Sequence, residues 1–331
     1  MASIARLASS RLMSAAKPNT AAQRLNSISR QFSSTPMTAA EIRKLGVVGA
    51  GQMGLGIALV AAQKAEVPVI VVDNSQKSLD KGMAFADKLL SKDVSKQRIT
   101  QDIADATKKR LTATTNMKDL SDVDMVIEAV PEIPKLKEEI FAQLAEICPK
   151  HAILATNTSS ISITKIAAAT TKDPTDTSAS SRVVSTHFMN PVPVQKGVEI
   201  ISGLQTSEET LQTAIAFCQK MGKIPSVSAD KPGFLANRIL MPYINEAVIC
   251  LETGVGTKED IDSIMKNGTN VPMGPLALAD FIGLDTCLAI METLHQGLGD
   301  SKYRPSPLLR QYVDAGWLGK KSGKGFYDYK S

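Results

Sequence analysis

The stretch HFMNPVPVQKGVEI holds one of only three histidines in the chain, His187, and a lone carboxylate, Glu199, follows twelve residues later. A neutral imidazole takes a proton near pH 7 when something fixes its tautomer and ring plane. Glu199 is the group of this stretch able to do that. The other histidines are poorer candidates, since His151 follows CPK at an exposed helix end and His295 lies in the polar tail of a helix. Considered alone, a structural histidine beside a surface glutamate explains the pair as well as proton transfer does.

A second constellation is GAGQMG, residues Gly49, Gly51 and Gly54 with Gln52 and Met53 between them. The spacing by itself is weak evidence, but it follows a short apolar strand, opens an apolar helix, and precedes a second strand, VPVIVVD, that ends in Asp73. Gly49 permits the sharp turn, Gly51 lets a pyrophosphate approach the backbone, and Gly54 lets helix and strand pack closely. Asp73 would accept hydrogen bonds from the adenosine ribose and repel a 2′-phosphate. NAD is therefore favoured over NADP, and FAD, which also binds such turns, ranks well below NAD because the second half of the chain shows no flavin-type pattern. Hydride transfer without a metal needs a positioned base, which gives His187 a task.

These residues need a scaffold, and the apolar periodicity supplies one. KLGVVGAGQMGLGIALVAAQKA and VPVIVVD form a βαβ unit. A lysine-rich helical stretch follows over residues 76–110, then the strands DMVIEAV and AILATNTSS around the helix PKLKEEIFAQLAEIC. VVSTHFMNPVPV and VEIISG read as strand, turn and strand, with the prolines placing a tight connection between them. Residues 170–182, TTKDPTDTSASSR, read as a surface loop. The fold class is α/β, a Rossmann-type doubly wound sheet over residues 41–228, followed by an all-helical domain over 229–331. Within the latter, Thr257 with Asp260 resembles a capping box. PLALADFIGLDTCLAIMETL is apolar around too much of its circumference for a surface helix, which points to burial against another helix or another subunit.

Composition narrows the function. The net charge is +5, yet residues 1–40 carry Arg6, Arg11, Lys17, Arg24 and Arg30 and no acid. The basic excess is thus confined to a Ser-, Ala- and Arg-rich leader, as in a mitochondrial transit peptide, with RQFSST resembling a matrix-protease site. Nothing in the charge pattern calls for nucleic acid, and no run of about 18 apolar residues is present to span a bilayer. Cys148, Cys218, Cys250 and Cys287 are scattered, with no pairing that suggests a disulfide frame or a metal.

Taken together, GAGQMG, NTSS, HFMNPVPV, VEII, PGFLANRI, MGPLALADFIGLD and GKKSGKGFYDY cover essentially residues 44–329. In that order they resemble the 3-hydroxyacyl-CoA dehydrogenases, most closely the short-chain type acting on 3-hydroxybutyryl-CoA. The resemblance implies that His187 removes the proton of the substrate 3-hydroxyl and that Glu199 is its electrostatic partner. It implies that Ser159 touches substrate and nicotinamide, and that Asn190 and Asn237 position the base and polarise the reacting oxygen. Glu132, Lys137 and Lys321 match contacts to the nicotinamide half of NAD, and Lys96 matches a contact to CoA. The substrate would be an acyl-CoA thioester of fatty acid β-oxidation in the mitochondrial matrix, and the protein a homodimer joined through the helical domain.

Departures from the family pattern fall between base and partner. Met189 stands where a second Phe is common, and Gln195, Lys196 and Gly197 replace Met-Lys-Leu, which bears on acyl-chain preference. Leu89 replaces a CoA-contacting serine, and residues 170–182 are longer than usual. Two other readings are a β-hydroxyacid dehydrogenase acting on free acids, which would use a lysine of the second domain, and a non-catalytic NAD-binding or structural relative.

Overall fold

The computed structural model describes residues 39–329, so all but the end of the expected leader lies outside the described residues. Strands β1 (Leu45–Val48) and β2 (Val69–Val72) are buried along their whole length, whereas β3 (Leu111–Thr114) is half exposed. β4 (Met125–Glu128) and β5 (Ile153–Thr156) are again wholly buried. Such continuous burial marks parallel strands covered on both faces. β6 (Val183–Phe188), β7 (Gly197–Ser202) and β8 (Ile224–Ala229) complete a sheet of order β3-β2-β1-β4-β5-β6-β7-β8. Every neighbouring pair is parallel except β6 with β7. Chain order reverses beside β1, between β2 and β4, which opens a crevice at the carboxyl ends of β1 and β4.

Helices close both faces. α1 (Gln52–Val60) runs on through a wider π turn to Ala65, and with α2 (Gln76–Ser95) it covers Leu45, Val47, Val69 and Val71 on one side. α3 (Gln101–Lys109) lies beside them, while α4 (Pro134–Ile147) and α5 (Ile163–Ala168) cover Val48, Val72, Val126 and Leu154 on the other side. α6 (Glu208–Lys220) returns to the first face through Ala214 and Phe217. A separate core holds the second domain, in which α7 (Ala236–Glu252), α8 (Lys258–Gly268), α9 (Pro275–Ile282), α10 (Leu284–Leu298) and α11 (Pro307–Asp314) pack around Met241, Leu276, Leu288 and Leu309.

Four local expectations are corrected. The stretch 76–110 is two helices, because Gln97 takes a left-handed conformation (φ 56°) and Thr100 caps α3 by accepting from the Ile103 amide at 3.3 Å. β3 follows at once, its short LTAT too polar to stand out in the sequence. β8, to which the sequence reading assigns no element, is an edge strand with Ile224 and Val227 more than half exposed, so its pattern lacks the apolar signature of an inner strand. The apolar run from Pro275 breaks at Gly283 (φ 106°) into α9 and α10, and each buries its own narrower face in the helical core. The β6 to β7 connection is also longer than the tight turn expected, spanning residues 189–196.

Candidate functional site

The crevice begins with the glycine turn. A Cβ on Gly49 (φ 108°) would stand 2.7 Å from the Ala129 carbonyl oxygen, and one on Gly54 would stand 1.9 Å from that of Gly49. One on Gly51 would meet nothing within 4 Å. The first and third glycines are thus required by packing and the second leaves the helix N-terminus open, which is the cradle an anion needs. Asp73 sits where the second strand ends, its carboxylate accepting from the Ala50 and Ser75 amides at 2.8 and 3.0 Å. A cavity of about 740 Å³ runs past Gly49, Gly51, Asp73, Asn74 and Val130. Met53 faces the adjoining core. Gln52 reaches across to donate to the Asn190 side chain at 3.2 Å.

Antiparallel pairing of β6 and β7 sets His187 directly opposite Glu199. Cross-strand partners share a face, and the two side chains meet. His187 Nδ1 lies 2.9 Å from Glu199 Oε2, and its Nε2 lies 3.0 Å from the Ser159 hydroxyl. Both residues are buried, and Phe234 packs edge-on against the imidazole. The other oxygen of Glu199 accepts from the Leu235 and Ala236 amides at 2.8 and 2.9 Å. Those amides open α7, which has no side-chain cap of its own. One sheet carboxylate therefore serves both the imidazole and a helix N-terminus of the second domain. Burial pushes the Glu199 carboxyl up, but the His187 hydrogen bond, the imidazole charge and the two amides outweigh it and hold the group below the ordinary glutamate value.

The Ser159 turn is held from three sides. Its carbonyl accepts from Asn237 Nδ2 at 3.2 Å, bringing a largely buried amide of α7 to the site. Glu132 Oε1 accepts from the Thr158 hydroxyl at 2.5 Å, the Ser159 amide at 2.9 Å, and the Ser160 amide and hydroxyl at 3.0 and 3.1 Å. Asn157 accepts from the Phe188 amide at 2.8 Å and ties the turn to the end of β6.

Three expected lysines are held in different ways. Lys137 is fully buried against Glu128. Lys321 pairs with Asp285 beneath Gly283. Lys96 is the exposed residue closing α2, and Leu89, on that helix, packs against the core. Met189 and Gly197 do line one space, a cavity of about 360 Å³ bordered by Glu199, Leu235, Ile239 and Tyr243, in which a Cβ on Gly197 would meet nothing within 4 Å.

Three residues escaped the sequence reading. Gly56 lets Val192 of the β6 to β7 connection press onto α1, since a Cβ there would stand 2.9 Å from Val192. Lys223 is buried and donates to the carbonyls of Val192 and Gln195, the latter at 2.7 Å, which clamps the same connection from below. Glu128 is the buried partner of Lys137. No local pattern marks a buried charge, although a lysine between two apolar elements is a prompt to look for its anion.

A doubly wound sheet with an open glycine cradle and a carboxylate at the end of the second strand defines a dinucleotide-dependent dehydrogenase. Comparison with known proteins sharpens this. Residues 44–231 match the model for the 3-hydroxyacyl-CoA dehydrogenase NAD binding domain and residues 233–329 match that for its C-terminal domain. A probable 3-hydroxybutyryl-CoA dehydrogenase of Bacillus subtilis is 52% identical over 290 residues, covering 88% of this chain and 98% of its own. The mitochondrial hydroxyacyl-coenzyme A dehydrogenase of Rattus norvegicus is 39% identical, covering 87% of this chain and 92% of its own. The crystal structure of (S)-3-hydroxybutyryl-CoA dehydrogenase from Ralstonia eutropha superposes with a TM-score of 0.83 at 44% identity, covering 88% of this chain and all of that one. The chain belongs to the 3-hydroxyacyl-CoA dehydrogenase family, and it is an NAD-dependent oxidoreductase.

Proposed function

We propose that the protein oxidises short-chain L-3-hydroxyacyl-CoA thioesters of the 3-hydroxybutyryl type to 3-oxoacyl-CoA, with His187 as general base. The observation that carries this reading is the imidazole bridging Glu199 and Ser159 at 2.9 and 3.0 Å. Glu199 holds the Nδ1 proton, fixes the tautomer and stabilises the imidazolium that forms, which leaves Nε2 to receive the hydroxyl proton. Ser159 hands the substrate hydroxyl to Nε2. Asn237 spends one amide proton on the Ser159 carbonyl and has a second to polarise the reacting oxygen. Asn190, tied to Gln52, keeps the β6 to β7 connection against the cofactor turn.

Gly49, Gly51, Gln52, Met53, Gly54 and Asp73 would hold the adenosine and pyrophosphate portion of NAD, and Glu132, Ser159 and Asn190 the nicotinamide side. When bound, NAD supplies the hydride acceptor. We place the domain division at 228/229, with the helical part supplying substrate contacts and a homodimer contact; exposed Val255 and Ile264 on one groove of that part support the latter. The Arg-rich leader and the mitochondrial relative from Rattus norvegicus support a role in matrix β-oxidation.

The test is NADH consumption with acetoacetyl-CoA, longer 3-oxoacyl-CoA thioesters and free 3-oxoacids, each with NADH and with NADPH. Activity with NADH on the short thioester is expected. Turnover of the free acids at equal rate, or preference for NADPH, would reject it.

A further inference from the structure

The connection of residues 189–196 carries Asn190 to the cofactor turn, and two other elements hold it there. Its Val194 and Gln195 amides turn back onto the Pro191 carbonyl, each at 3.0 Å. On one side stands Lys223, the residue before β8, which is 8% exposed; its Nζ donates to the carbonyls of Val192 and Gln195, the latter at 2.7 Å. The next amide, that of Ile224, donates to the Lys196 carbonyl at 2.8 Å. On the other side stands α1, where a Cβ on Gly56 would lie 2.9 Å from the Val192 Cβ, so that only a glycine lets this buried valine sit where it does. Asn190 accepts from Gln52 of the same helix.

We propose that Lys223 is a positioning residue for hydride transfer: by holding the Val192 and Gln195 carbonyls it seats Asn190, and through Asn190 the nicotinamide. The proposal rests on the reading of Asn190 as a contact of the nicotinamide side and of His187 as the base. Burying an amino group costs free energy, and desolvation draws the Lys223 pKa below the ordinary lysine value. The end of α6 just before it, with Phe217, Cys218 and Met221 in the core, would accept an apolar side chain at less cost. What an apolar side chain cannot do is bind two carbonyls of the connection at once. With both held, Val192 is fixed against α1 and Gln195 against the start of β8, so Asn190 keeps its place beside Gln52. His187 does not need this clamp, because the β6 to β7 ladder sets it opposite Glu199. Asn190 lies past the last pair of that ladder, Phe188 with Val198. Lys223 therefore acts on the cofactor side of the reaction and leaves the proton relay alone. Misplacing a reacting group by about 1 Å costs about a hundredfold in rate.

The test follows reduction of acetoacetyl-CoA by the wild type, Lys223→Met, Gly56→Ala, Asn190→Ala and the double variant Lys223→Met/Asn190→Ala. It reads kcat, the NADH dissociation constant, the pH profile, and the isotope effect on kcat when the transferred hydrogen of NADH is deuterium. Lys223→Met should lose about 10- to 100-fold in kcat, with an isotope effect no smaller than that of the wild type and an unchanged pH profile. It should bind NADH within about threefold of wild type, because the glycine turn is intact. The double variant should fall no further than Asn190→Ala alone. Tm falls in Lys223→Met whatever its role, since two carbonyls lose a donor, and Gly56→Ala guards against loss of folding. Alanine favours a helix, Lys223 stays in place, and the added methyl pushes on Val192, so the same kinetic signature should appear at smaller size. A wild-type kcat in folded Lys223→Met would overturn the proposal, as would a loss whose isotope effect shrinks toward one, a displaced pH profile, or losses that add in the double variant. Should Lys223→Met not fold, a wild-type kcat in Gly56→Ala would overturn it. Full activity in Asn190→Ala would remove the nicotinamide contact and this proposal together, whereas an impaired Asn190→Ala beside an active Lys223→Met would remove Lys223 alone. His187→Gln is measured beside them, and full activity there would remove the base assignment itself.

Discussion

Glu199 and Asp280 are buried carboxylates of similar surroundings and opposite consequence. Each collects two backbone amides and one side chain: Glu199 takes Leu235, Ala236 and His187, and Asp280 takes Phe326, Tyr327 and the Tyr329 hydroxyl. For Glu199 the third partner is an imidazole that can carry a positive charge, and the carboxyl lies below its ordinary value. Burial dominates at Asp280; the same kinds of hydrogen bond oppose it but no cation does, and nearby Asp262 adds like charge, so that carboxyl lies above its ordinary value. The C-terminal stretch GKKSGKGFYDY is wrapped on Asp280 so tightly that a Cβ on Gly325 would stand 2.0 Å from its Oδ1. Identical hydrogen-bond counts therefore do not separate a site from a clasp; the presence of a proton-exchanging partner facing a cleft does.

The largest effect that would sharpen this contrast is His187→Gln, expected to lower kcat by about a thousandfold or more, the upper range for a general base, with little change in NADH affinity measured by fluorescence titration. Wild-type turnover in that variant would break the contrast at its root. Next is Glu199→Gln, for which we expect about a 10- to 100-fold loss of kcat from a misoriented ring together with about 1 kcal/mol of stability from the weakened α7 cap. Asp280→Asn should show the reverse profile. It should lose about 2 kcal/mol of stability by denaturant unfolding, because an amide nitrogen cannot accept from the buried amides, while kcat per folded molecule stays within about twofold.

The pH dependence of stability distinguishes the two carboxylates by sign. Glu199 has a depressed folded value, so its contribution is present above the usual glutamate value and is lost as pH falls through the depressed one. The gap between wild type and Glu199→Gln should accordingly narrow in acid. Asp280 has a raised value, so stability tied to its protonated form is full at low pH and declines as pH rises from the usual aspartate value through the raised one. The gap to Asp280→Asn should narrow in the opposite direction. Unfolding curves over the acid range that move both gaps the same way would refute the distinction.

The smallest expected effect is Gly197→Leu, which fills the space beside Met189 and Glu199. If that space takes acyl carbons, kcat/KM for long thioesters should fall about tenfold relative to short ones, and an unchanged ratio would exclude it.

Much of this was legible in the chain. The glycine turn with Asp73 marked the crevice because its geometry is local: a tight turn, an open helix end and a strand a fixed distance on. His187 and Glu199 were legible as a pair because two strands joined by a short connection keep nearby residues in register. The edge strand β8 was not, since an exposed strand has no apolar alternation to betray it. The burial of Lys137 against Glu128 was not legible either, because a lysine's sequence neighbours do not reveal whether its charge meets water or a carboxylate.

By itself, then, the amino-acid order determined which elements form and which chemistry their ends can carry, since propensity, glycine conformation and apolar period act over a few residues. Only the tertiary structure decided where each charge is spent: that Glu199 caps α7 as well as holding the imidazole, that Glu128 takes Lys137, and that Asp280 fastens the C-terminal stretch. The first and last of those assignments depend on partners dozens of residues away in sequence, and the solvation of any buried charge is set by whatever the fold brings against it.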